Sequence, residues 1–205
     1  MTRNIIAILR GIRPEDVEAH VDVLVAAGIT TIEVPLNSPE PFDSIGRLIA
    51  RFAGRAMIGA GTVLEVADVR RLAEMGAAIV VSPNCDPAVI AATRAAGMES
   101  WPGVFTPTEC FAALKAGATG LKFFPATLIG PAGIAAVRAV LPKGTPLYAV
   151  GGAGADNFPE WIRAGATGFG IGTALYRPGQ SVEATAAAAA KIVSAYDAAL
   201  AAAQD

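Results

Sequence analysis

Eight short apolar runs of β character alternate with helical patterns along all 205 residues, at intervals of roughly 20–30 residues and with short connections. Such regular alternation predicts an α/β chain whose parallel strands close into a compact (β/α)8 TIM barrel. Two further observations narrow the choice. A glycine follows most of the helical patterns as a stop signal, and no glycine-rich fingerprint follows the first run, where an open doubly wound sheet would carry one. Residues 1–205 are therefore read as a single barrel domain, a length that suits one sizeable core.

The first strand is expected over Asn4 to Leu9, with a helix from about Pro14 to Ala27 stopped by Gly28. Strand two is Thr31 to Pro35, and its helix, Pro39 to Phe52, ends near Gly54. Strand three is Met57 to Ala60, followed by a helix from Glu65 to Met75 and Gly76. Strand four is Ala78 to Ser82, with a helix from Pro87 to Ala96 and Gly97. Strand five is Glu99 to Gly103. Thr106-Pro107-Thr108-Glu109 opens the next helix, with a capping residue and a proline in the first turn. Strand six is Gly120 to Phe124, its helix Pro131 to Leu141; strand seven is Pro146 to Val150, its helix Asp156 to Ala164. Strand eight is Gly168 to Ile171. An alanine-rich helix from about Val182 to Ala203 closes the fold as a packed terminal element rather than a membrane span.

Composition excludes several function classes. Hydrophobic residues at 53% against 17% charged leave apolar surface beyond what one core needs, which hints at a homo-oligomer. A net charge of −2 without any Lys/Arg cluster offers no footprint for nucleic acid. Cys85 and Cys110 have neither disulfide-framework nor zinc spacing and are expected as reduced, mostly buried thiols. The single histidine, His20, is expected in a partly exposed structural role, and with no second histidine a metal site has almost no ligands to draw on. The run after Met1 is too short for a signal peptide or a membrane span, so a cytoplasmic protein without a metal or cofactor is expected.

In a barrel, chemistry belongs at the C-terminal ends of the strands. Lys122 sits between Leu121 and Phe123 in the sixth strand, where burial should depress its pKa and leave a partly neutral, nucleophilic amine suited to Schiff-base formation on a ketone. The alternative is a lysine that snorkels along an apolar wall. Glu33 lies between Ile32 and Val34, so alternation points it into the barrel, where a raised pKa would suit proton transfer; an ion pair with Lys122 or an arginine would account for it equally. The turns Val150-Gly151-Gly152 and Gly170-Ile171-Gly172-Thr173 suggest a phosphate cradle of backbone N–H groups, or else ordinary tight turns. Arg10 and the Thr62 hydroxyl are candidates to hold a carboxylate at the other end of a substrate, Arg10 otherwise being a surface arginine at a strand exit.

The chain resembles the pyruvate-forming 2-keto-3-deoxy-6-phosphosugar-acid aldolases, class I enzymes with a trimeric barrel. The resemblance is carried by Ile-Glu-Val-Pro-Leu-Asn-Ser-Pro at 32–39, Gly-Ala-Gly-Thr-Val-Leu at 59–64, Ser-Pro-Asn at 82–84, Pro-Gly at 102–103, Leu-Lys-Phe-Phe-Pro-Ala at 121–126 and Ala-Val-Gly-Gly at 149–152. It implies that Lys122 is the Schiff-base lysine, Glu33 the general acid/base, and Gly152, Gly172 and Thr173 phosphate ligands beside Gly151. The implied partners are a phosphorylated 2-keto-3-deoxy sugar acid, pyruvate and two further copies of the chain. Within the family the sequence is more similar to the galactonate branch than to the gluconate branch, which typically has arginine at the position of Asn37 and threonine at that of Val150. Ala174 stands where the gluconate branch often has serine, leaving Thr173 as the source of a hydroxyl. The gluconate epimer, or use of both, is the near alternative; a phosphosugar isomerase or epimerase, or a non-catalytic phosphosugar-binding barrel, is the distant one.

Overall fold

The computed structural model describes residues 3–203. Its strands are β1 (Ile5–Ile8), β2 (Thr31–Pro35), β3 (Met57–Gly61), β4 (Ile79–Val81), β5 (Glu99–Trp101), β6 (Gly103–Val104), β7 (Leu121–Phe123), β8 (Leu147–Val150) and β9 (Gly168–Ile171). Every pairing is parallel, in the order β5-β4-β3-β2-β1-β9-β8-β7-β6. The two ends of that order, β5 and β6, are separated only by Pro102, so they are one expected strand interrupted where proline has no N–H to give the ladder. The Pro102 carbonyl still accepts from the Lys122 N–H at 3.0 Å. The sheet is thus an eight-position ring, the expected (β/α)8 barrel.

The outer layer is α1 (Val17–Ala26), α2 (Pro41–Phe52), α3 (Val66–Glu74), α4 (Pro87–Ala95), α5 (Pro107–Lys115), α6 (Ala126–Arg138), α7 (Phe158–Arg163) and α8 (Val182–Ala201). Their starts follow local chemistry. Asp86 Oδ1 accepts from the Ala88 and Val89 N–H groups, Ser181 Oγ from that of Ala184, and Thr106 and Glu109 form a reciprocal capping box. On α8 the buried positions Thr185, Ala189, Ile192, Tyr196 and Ala199 recur every three or four residues, a stripe that packs inward and makes it the terminal packed helix. Among the described residues no helix is long and apolar enough to cross a membrane.

Three expectations are corrected. The sixth helix begins at Ala126, not Pro131: the chain turns helical immediately after β7, breaks at Gly130 (φ 67°, ψ 167°), and restarts at Pro131. Only the restart carries a sequence signal, proline in a first turn. His20 is buried, 3% exposed, with Nδ1 2.8 Å from Thr185 Oγ1 and its ring edge-on to Tyr176 at 5.0 Å; burial lowers its pKa. It is a packed link between α1 and α8, invisible in sequence because its partner is 165 residues away. Of the two thiols, Cys110 is buried but Cys85 only half-buried, and both are free.

The core has two layers. One lies between sheet and helices, around residues such as Leu24, Leu48, Phe52, Phe158 and Phe169. The other fills the ring itself with Ile6, Ile8, Ile79, Val81, Trp101, Tyr148 and Val150, the Trp101 and Tyr148 rings 4.1 Å apart. Small residues make room for these large ones: a Cβ at Gly168 would run into the Tyr148 ring, and one at Gly170 into Val150. This plug closes the barrel from below and leaves its upper rim for polar groups.

Candidate active site

Counting around the ring, with β5 and β6 as one position, β2 and β7 stand diametrically opposite. Glu33 on β2 and Lys122 on β7 therefore face each other across the lumen, near enough for each charge to act on the other. Each has a glycine in register on a neighbouring strand, Gly59 beside Glu33 and Gly103 beside Lys122. Space for the carboxylate is made by Gly61, where any Cβ would fall inside the Glu33 carboxyl group. Glu33 is 2% exposed and Lys122 7%.

Among the described residues Glu33 forms no salt bridge, and its Oε2 is buried without a hydrogen-bond partner. The register-fixing ion pair that the sequence left open is therefore not formed. Loss of solvation pushes the Glu33 pKa up to about 7, against the opposing pull of the Lys122 and Arg10 charges. Loss of solvation likewise brings Lys122 down to about 8; Glu33 works against that shift and Arg10 adds to it. Near neutral pH the pair thus offers a carboxyl group that readily gains or loses a proton and an amine with a sizeable neutral fraction. The Lys122 Nζ lies 4.6 Å from the centre of the Phe124 ring, two residues along on the same face.

Arg10, at the exposed end of β1, donates from Nη1 to Asn37 Oδ1 at 2.7 Å, bridging the exits of β1 and β2. Beside them Thr62 turns the chain out of β3 with a left-handed φ of 56°, a conformation that costs energy for a branched residue and fixes its place next to Gly61. Arg10, Asn37 and Thr62 thus line one side of the rim.

On the other flank of Arg10, over the ends of β8 and β9, is a cavity of about 360 Å³ lined by Ile8, Arg10, Phe124, Val150, the 151–154 turn, Gly172, Thr173 and Ala174, together with Asp156 and Asn157. A second cavity of similar size opens at the bottom of the barrel around Asn4, Glu99, Trp101 and Tyr148. Neither Lys122 nor Glu33 lines either cavity, but the upper one lies at the C-terminal ends of the strands and is walled by Phe124, whose ring centre is 4.6 Å from the Lys122 Nζ, so it is the cavity next to the buried pair. Gly151 and Gly152 both have left-handed φ values, 91° and 88°, and a Cβ on Gly152 would collide with Thr127. The N–H groups of Gly152, Ala153, Thr173 and Ala174 make no hydrogen bond among the described residues. Four unspent donors on two adjacent turns suit an anion.

Sequence reasoning missed Phe124, Ala153, Gly154 and Asn157. For Phe124 the signal was present, since alternation puts 122 and 124 on one face. For Asn157 it was absent, because its side chain reaches back over the turn instead of capping the helix that follows it.

Residues 1–192 match the family model described as "KDPG and KHG aldolase". The chain belongs to this family. It is 50% identical over 198 residues to a probable 2-dehydro-3-deoxy-6-phosphogalactonate aldolase of Rhizobium meliloti (strain 1021), covering 97% of this chain and 93% of the relative. It is 47% identical over 192 residues to the 2-dehydro-3-deoxy-6-phosphogalactonate aldolase of Escherichia coli (strain K12), covering 94% of each. A solved structure described as native KDPGal superposes with a TM-score of 0.96 at 46% identity, over 98% of this chain and 97% of that one.

Proposed function

We propose that the whole chain is one class I aldolase domain that cleaves 2-dehydro-3-deoxy-6-phospho-D-galactonate to pyruvate and D-glyceraldehyde 3-phosphate. The observation that carries this reading is the desolvated lysine facing a desolvated, unpartnered carboxyl group across the ring; the names of the two relatives support the substrate.

The neutral Lys122 amine attacks the C2 carbonyl, and the carbinolamine loses water to give an iminium. Glu33, ionised, takes the proton of the C4 hydroxyl; the C3–C4 bond breaks, its electron pair moves into the iminium as an enamine, and glyceraldehyde 3-phosphate leaves. The protonated Glu33 then returns its proton to C3, and water releases pyruvate and the free lysine. Arg10, oriented by Asn37, and Thr62 hold the C1 carboxylate. Gly151, Gly152, Gly172 and Thr173 hold the phosphate, whose binding energy positions the reacting carbons. No metal is called for in these steps. Mass spectrometry after incubation with pyruvate and a borohydride tests the reading: a reduced pyruvate adduct on the Lys122 peptide is expected, and its absence where a known imine-forming aldolase is labelled overturns it.

Val150 lines the cavity with a methyl surface and Asn37 replaces a longer cation, which supports the galactonate epimer over the gluconate one. A higher kcat/KM on the pure galactonate epimer is expected; a higher value on the gluconate epimer overturns the assignment. Exposed Phe105, Phe111 and Leu128, on consecutive segments from the end of β6 to α6, support a homotrimer in which copies cover them. Two free thiols fit a reducing, cytoplasmic setting.

A further inference from the structure

We propose that Asn157 is the positioning residue of the phosphate turn, and that its amide decides which backbone groups of that turn remain free for the anion. The proposal rests on the aldolase reading above and goes beyond it by assigning a task to a side chain that need not touch substrate.

The argument is an accounting of hydrogen bonds between 151 and 157. The Gly151 carbonyl accepts from the Thr127 N–H at 3.1 Å. Asn157 Nδ2 donates to the Gly152 carbonyl at 2.9 Å, and Asn157 Oδ1 accepts from the Gly154 N–H at 2.9 Å; the Asn157 N–H in turn donates to the Gly154 carbonyl at 3.1 Å. One amide side chain therefore takes both an acceptor and a donor of the turn, while the N–H groups of Gly152 and Ala153, two residues that line the cavity, make no hydrogen bond among the described residues. The Gly152 carbonyl is the group most harmful to an anion if it swung inward, and it is the one that Nδ2 ties back. Only asparagine of this length does both: aspartate keeps the acceptor for Gly154 but presents no donor to Gly152, and adds a charge beside the anion. The left-handed Gly151 and Gly152 give the turn its freedom, and a turn of such residues needs an external clasp to hold one conformation.

The test compares wild type, Asn157→Ala and Asn157→Asp, cleaving the phosphorylated substrate and its phosphate-free counterpart. Two lost hydrogen bonds should cut the preference for the phosphorylated substrate, read as the ratio of the two kcat/KM values, about tenfold or more in Asn157→Ala. Inhibition by glycerol 3-phosphate should weaken by the same factor, and more in Asn157→Asp. Labelling of Lys122 by pyruvate and borohydride should persist in both variants, showing an intact barrel and imine site. A preference unchanged in both variants, or equal losses on the two substrates, overturns the proposal. If Asn157→Ala does not fold, Asn157→Asp decides, since it retains the Gly154 bond. A wild type that labels with pyruvate but shows no preference for the phosphorylated substrate overturns the phosphate turn itself. A wild type that does not label overturns the aldolase reading instead, so the two failures are distinguishable.

Discussion

At the scale of single residues the barrel stores its chemistry as unfavourable burial. Glu33→Gln removes a charge that holds the Lys122 pKa up, so the pH midpoint for pyruvate labelling of Lys122 should fall in that variant, while Arg10→Leu should raise it. Rates of adduct formation from pH 5 to 10 check both signs. Cleavage by Glu33→Gln should drop on the order of 10²–10⁴-fold for want of a proton carrier. Its stability should move the other way. A carboxyl group whose pKa rises from 4.5 unfolded to about 7 folded favours the fold below 4.5 and loses that contribution as pH climbs through 7. Glu33→Gln should therefore be more stabilising, or less destabilising, at pH 8 than at pH 4. Urea melts at the two pH values decide this. Both residues were legible in the sequence because strands bury what they alternate; the lack of a salt bridge was not, because separation across a lumen is not written in spacing.

At the scale of elements, glycines of similar appearance do different work. Gly61→Ala should leave the fold in place but push the Glu33 carboxyl group aside, cutting kcat by about two orders of magnitude. Retained labelling of Lys122 beside that loss would confirm the direction; unchanged kcat would show that the vacancy is dispensable. The order of strands and helices could be read from the sequence because most helices carry their own stop or cap, as Thr106 and Glu109 show. What could not be read was set by long-range partners. The break at Pro102 becomes visible only when β4 and β7 pair on either side of it. The start of α6 carries no cap and lies before the kink at Gly130. The clasp of Asn157 runs backwards, against the direction in which capping residues are sought.

At the scale of the whole molecule, the exposed Phe111, 46% accessible, and Leu128, 74%, are the surfaces that a trimer would cover. Phe111→Lys should convert a three-chain mass in light scattering to a one-chain mass; an unchanged mass would move the interface elsewhere. The placement of Glu33 and Lys122 on diametrically opposite strands makes the ring a caliper whose jaws are two buried titratable groups. Their mutual influence depends on its cross-section, and that cross-section is set by how the surrounding helices press on the sheet. A truncation in the core between sheet and helices, at Phe169 or Phe52, is then also a change in the electrostatics of the lumen. Packing far from the rim thereby gains a route to the protonation of the buried lysine.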